Sequence, residues 1–92
     1  MKLNEVLENI GLSSKEANIY LATLELGDST ASDIALRAKM NRVTAYDILK
    51  KLIKRGFISS YIKNQVSYFA ATDPELIGDD YRSKYMNLKE AL

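Results

Sequence analysis

At 92 residues and 47% hydrophobic content, the chain is long enough for one small domain with a modest core, too short for two, and too regularly patterned to be disordered. It contains no cysteine and no histidine, which excludes a disulfide framework, a thiol nucleophile, a Ser-His triad and a zinc ligand set. Because its carboxylates are scattered over helix starts and outer faces, no enzyme, metal site, cofactor or small-molecule ligand is expected. The formal charge is only +1, no apolar run approaches the roughly eighteen residues a membrane span needs, and nothing at the N-terminus resembles a signal peptide; a soluble, cytoplasmic chain without membrane contact is expected.

Leu3, Val6, Leu7 and Ile10 recur at helical spacing and Gly11 stops them, which predicts a short first helix. Ser13 with Glu16 three residues on is a capping-box pattern, with Leu12 placed to staple onto Ala17. Ala17, Tyr20, Leu21 and Leu24 then form the buried stripe of a second helix ending near Gly27, while Glu5, Glu8 and Glu25 face water. Thr30 with Asp33 opens a brief third helix through Ile34, Ala35 and Arg37. After Lys39, Met40 and Asn41, with Met40 read as a core plug in the turn, a fourth helix runs over 42–55. In that helix Ala45, Ile48, Leu49 and Leu52 share one face. The opposite face carries Val43, Tyr46, Asp47, Lys50, Lys51 and Lys54, a side-chain set suited to phosphates and base edges in a major groove. Two short helices joined by so brief a turn, the second basic and amphipathic, form a helix-turn-helix pattern.

After Gly56 the period changes from helical to alternating. Segments 57–62 and 66–71 are rich in β-branched and aromatic residues and predict a hairpin, a wing over 57–71, with Asn64 and Gln65 at its bend and Lys63 near its tip. Gln65 suits a two-residue turn poorly, so a slightly longer loop is one possibility. Asp73-Pro74-Glu75 is a strong start for a last helix, in which Gly78 threatens a kink. Ile77, Tyr81, Tyr85, Leu88 and Leu92, with Leu76, fall near heptad intervals. They are expected to pair with a second subunit, dividing the chain into a DNA-binding domain over 1–73 and a dimerisation helix over 74–92.

Charge is distributed unevenly. Residues 37–63 hold eight cations against Asp47 alone, while the segments on either side are net acidic. Such concentration is expected of a phosphate-binding surface, although charge runs are often merely solvated.

Several stretches together resemble the N-terminal domain of the TrmB-like family of archaeal transcriptional regulators, over about residues 6–77. They are Gly11-Leu12 with Glu16-Ala17 and Ile19-Tyr20, Thr30-Ala31-Ser32-Asp33-Ile34-Ala35, Asn41-Arg42 with Ala45-Tyr46, Arg55-Gly56-Phe57-Ile58, and Tyr68-Phe69-Ala70 leading into Asp73-Pro74-Glu75. The resemblance implies a DNA-binding winged helix in which Arg42 and Tyr46 open the recognition helix. Two departures stand out: Asn41 replaces the proline usual before the arginine, and the family's C-terminal sugar-binding domain has no counterpart in the sequence. Sugar sensing is therefore not carried over.

The fold expected is mainly α with a small β-hairpin: a winged helix-turn-helix plus a C-terminal helix. The function expected is that of a homodimeric transcriptional regulator binding double-stranded DNA, with Val43, Thr44, Tyr46, Asp47 and Lys50 facing base edges. Ser29, Thr30, Arg42, Lys51, Lys54 and Lys63 are assigned to phosphates. Asp47 is expected to accept from a cytosine amino group or to orient Arg42 or Lys51. The alternative is a winged-helix protein-interaction module whose basic face meets an acidic partner.

Overall fold

In the computed structural model, which describes residues 3–91 and leaves the side chains of Lys84 and Tyr85 outside the description, the element order is α1 (Leu3–Asn9), α2 (Ser14–Leu26), α3 (Ala31–Ala38), α4 (Arg42–Lys54), β1 (Ile58–Lys63), β2 (Val66–Ala71) and α5 (Pro74–Ala91). The caps form where the sequence places them. Ser13 Oγ accepts from the Glu16 amide (3.1 Å) while Glu16 Oε1 accepts from the Ser13 amide (2.8 Å), closing the capping box reciprocally. Asn41 Oδ1 accepts from the Thr44 amide at 2.8 Å, and Asp73 Oδ1 from the Glu75 amide at 2.8 Å.

Helix α2 is the axis of the domain. It packs on α1, α3, α4 and β2, and for that reason it buries more than the expected stripe: Ile19, Ala22 and Thr23 are buried beside Ala17 and Tyr20, while Leu21 and Leu24 are half-buried. A helix surrounded by neighbours has no single apolar face to read. Tyr20 and Phe57 meet edge to face at 5.9 Å between ring centroids. The Tyr20 hydroxyl donates to the Thr72 carbonyl at 2.6 Å, and burial, aided by the nearby Asp73 carboxylate, pushes its pKa up to about 12. It therefore remains a neutral donor at any physiological pH, tying the chain that enters α5 to the centre of the core.

The turn between α3 and α4 closes without glycine. Lys39 adopts a left-handed conformation (φ 58°), and the Met40 amide reaches back to the Ala35 carbonyl (2.9 Å) while the Lys39 amide reaches Leu36 (3.2 Å), the paired bonds of a Schellman motif. Met40 is half-buried against the core, as its reading as a plug requires.

The hairpin closes in two residues rather than in the longer loop that Gln65 suggested. Lys63 pairs with Val66, and Asn64 and Gln65 take φ of 52° and 65°, the positive values that a tight hairpin turn demands. Its third strand is one residue long: Ser29 exchanges both backbone hydrogen bonds with Phe69 (3.0 and 2.8 Å), giving the spatial order Ser29, β2, β1. The far side of the hairpin is tied down as well. The Tyr61 hydroxyl donates to Asp28 Oδ2 at 2.7 Å, which holds its pKa above the usual tyrosine value, and its ring stacks on Tyr68.

Helix α5 runs unbroken through Gly78. Its beginning belongs to the domain: Ile77 is buried in the core, Tyr81 is half-buried against it, and the Tyr81 hydroxyl approaches the Ile10 carbonyl at 3.5 Å. Ile77 and Tyr81 thus pack against their own chain rather than lining an outward heptad seam. Beyond Tyr81 the described side chains are exposed, Met86 and Leu88 among them. At about 1.5 Å per residue this arm carries the last ten described residues, 82–91, some 15 Å from the body. The expected interface residues Tyr85 and Leu92 lie outside the described residues. Among the described residues no helix is long and apolar enough to cross a membrane.

Candidate nucleic-acid interface

Burial of Ala45, Ile48, Leu49 and Leu52 fixes the rotation of α4. At about 100° per residue the ridge opposite that core is Val43, Asp47, Lys50 and Lys54, flanked on one side by Arg42 and Tyr46 and on the other by Thr44 and Lys51. Arg42, Val43, Tyr46, Asp47, Lys50, Lys51 and Lys54 are all exposed, and Thr44 is half-buried. Val43 is 74% exposed, an open aliphatic surface on a helix that has ample core elsewhere to bury one.

On the Tyr46 side a groove of about 540 Å³ separates α4 from the hairpin and is lined by Thr30, Ser32, Arg42, Tyr46, Gln65 and Ser67, among others. Tyr46 stands in it with its ring edge-on to Phe69 (6.2 Å) and the Lys50 ammonium 5.0 Å above its face. A ring held from two directions has little rotamer freedom left to lose on contact with a ligand. Lys63, the last residue of β1, is exposed beside the tip of the hairpin.

Three assignments made from the sequence change. Ser29 is buried, its hydroxyl donates to the Gly27 carbonyl at 2.7 Å and its backbone pairs with Phe69, so it is a structural residue and not a phosphate contact. Asp47 pairs with Lys50 at 3.9 Å rather than with Arg42 or Lys51. The positive block is also smaller than it reads. Arg37 pairs with Glu25, and Arg55 is drawn inward to Glu16 (3.6 Å) and the Gly11 carbonyl (3.3 Å), with its guanidinium 5.4 Å from the Phe57 ring centre. Thr30 keeps a place at the groove edge, where its hydroxyl accepts from the Asp33 amide at 3.3 Å. Ser32, Gln65 and Ser67 are groove residues that sequence reasoning did not single out. Only the position of Gln65 at the bend hinted at a role for it.

An exposed cationic helix preceded by a short helix and a tight turn, with a hairpin beside it, is the geometry of a winged helix-turn-helix. The family described as the sugar-specific transcriptional regulator TrmB matches this chain over residues 7–75. The chain belongs to the TrmB family. A curated relative, the HTH-type sugar sensing transcriptional regulator TrmBL1 of Pyrococcus furiosus, is 28% identical over 86 residues, covering 94% of this chain and 25% of that protein. This chain therefore spans about a quarter of the length of the relative it matches. Among solved structures, TrmBL2, described as an archaeal chromatin protein with a novel mode of DNA binding, superposes with a TM-score of 0.75 at 23% identity, over 97% of this chain and 37% of that one. The ST1889 protein of Sulfolobus tokodaii gives 0.74 at 22% identity over 99% of this chain and 98% of its own. A MarR family protein of Bacillus stearothermophilus gives 0.68 at 17% identity, over 96% and 64% of the two chains. At these identities the structural likenesses establish the winged-helix fold, and the TrmB match establishes a family of transcriptional regulators rather than of enzymes.

Proposed function

We propose that this TrmB-family chain is a homodimeric transcriptional regulator that reads double-stranded DNA by laying the outer ridge of α4 in the major groove, with the hairpin as a wing on the adjacent backbone or minor groove. The observation that carries the reading is the accessibility of that ridge: Val43, Lys50 and Lys54 point away from the core beside an open groove, and the one carboxylate among them, Asp47, is occupied by Lys50. In this reading Val43 meets a thymine methyl and Tyr46 and Lys50 meet base edges. Arg42, Lys51, Lys54, Lys63 and Thr30 hold phosphates and set the register. Tyr46→Ala is expected to reduce discrimination between cognate and random duplexes, and Lys54→Ala to weaken binding to both alike. Competition titrations distinguish the two effects, and equal losses from both substitutions remove Tyr46 from base reading.

In this proposal the start of α5 completes the domain, and its exposed arm over residues 82–91 is the dimerisation element. A two-to-three-turn helical arm that exposes Met86 and Leu88 to water has little reason to persist alone, and pairing with the same arm of a second copy gives it one. The mass of the chain in solution is expected to be that of a dimer and to fall to that of a monomer when the segment after residue 81 is removed. A monomeric intact chain contradicts the pairing.

A further inference from the structure

A second cleft, of about 460 Å³, lies on the flank of α4 away from the hairpin, between that helix and the first turn of α2. Its polar lining is Ser13, Lys15, Glu16, Thr44, Asp47 and Lys51. The two carboxylates are already engaged, Glu16 by Arg55 and the Ser13 amide, Asp47 by Lys50. The two ammonium groups are not: among the described residues neither Lys15 nor Lys51 has an ion-pair partner, and both are exposed. Two helices thus line one cleft with a pair of cations that have no ion-pair partner among the described residues, alongside Thr44. Lys15 falls in the acidic N-terminal third of the sequence, outside the block that composition marks as basic.

An α-helix with its side chains is about 10–12 Å across and the major groove of B-DNA is about 12 Å wide, so a helix seated there faces a sugar-phosphate wall on each side. Around α4, Tyr46 and Lys51 are separated by about 140° at 100° per residue. With Tyr46 and Arg42 turned toward the wing and one wall, Lys51 is turned toward the other.

We propose that the α2–α4 cleft is a second backbone seat, in which Lys15 and Lys51 clasp the phosphates of the groove wall opposite the wing. The proposal rests on the DNA-binding reading above and extends its footprint to both strands. Lys15 fixes how deeply and at what tilt α4 sits without touching a base, so its contribution is independent of sequence.

The test is the salt dependence of binding to a random duplex and to a selected site, measured for the intact chain and for Lys15→Ala, Lys15→Arg and Lys54→Ala, with melting temperatures confirming that the exposed substitutions leave the fold intact. Removing one phosphate contact is expected to lower the slope of log K against log salt by about 0.9, an approximately eightfold loss at 0.1 M salt. Lys15→Ala should show that loss equally on both duplexes, and Lys15→Arg should restore it. If Lys15→Ala matches the unsubstituted chain while Lys54→Ala flattens the slope, the second seat is wrong and the DNA reading stands. Absence of duplex binding by the unsubstituted chain at low salt ends both.

Discussion

Phe57→Ala is expected to lower the melting temperature by tens of degrees. The ring is 1% exposed and lies where four parts of the chain meet: edge to face with Tyr20 of α2, tilted against Tyr81 of α5 at 6.3 Å, covered by the Arg55 guanidinium, and directly preceding the first wing strand. Truncating a buried Phe costs about 3–5 kcal/mol, transfer and cavity terms together. A domain of this size has a total stability of roughly 5–14 kcal/mol, and each 1 kcal/mol moves its midpoint by about 4–8 °C. The loss reaches the proposed DNA-binding face because backbone bonds join the Phe57 amide to Leu52 of α4 and the Phe57 carbonyl to the Thr72 amide beyond β2, both at 2.9 Å. Weakening this junction loosens the wing relative to α4. Thermal denaturation followed by far-ultraviolet circular dichroism measures the shift, and a change under about 5 °C removes Phe57 from the centre of this account.

Replacing Arg42, Lys51 and Lys54 together by alanine is expected to leave the fold intact and to abolish most of the affinity for any duplex. All three side chains are exposed and none is engaged in a described ion pair, so stability should change little. Three lost phosphate contacts lower the salt slope by about 2.7, which at 0.1 M salt corresponds to a roughly 500-fold weaker complex. Measured by fluorescence anisotropy, an affinity unchanged within about threefold assigns the binding surface elsewhere. The comparison separates charge from fold: Phe57→Ala impairs binding by unseating the wing, the triple substitution by removing countercharge alone.

The features legible in the sequence are those with local causes. Ser13 with Glu16, Asn41, and Asp73 ahead of Pro74 each satisfy amides within three residues, so residue type and spacing suffice to place three helix starts. The inward face of α4 was legible for the same reason, since one helix lies on one side of one core. Tertiary partners were not. Ser29 reads as a helix-flanking hydroxyl, and only the approach of Phe69 from forty residues away converts it into a strand. Lys50 and Lys51 both stand at helical distance from Asp47, and spacing alone does not say that the pair formed is with Lys50. Arg55 sits in the middle of a basic run, yet Glu16 and Gly11 turn it inward. Ile77 and Tyr81 satisfy a heptad as well as they satisfy the core, and the spacing alone does not say which surface arrives first.

The outward ridge of α4 and the wing tip together form the proposed surface that meets DNA. Residue-resolved magnetic resonance of the isotope-labelled chain titrated with a duplex tests it most directly. The prediction is salt-sensitive shifts concentrated at Val43, Tyr46, Lys50, Lys54 and Gln65, with α1 and the distal part of α5 unmoved; shifts confined to α1 and α5, or none at low salt, contradict it.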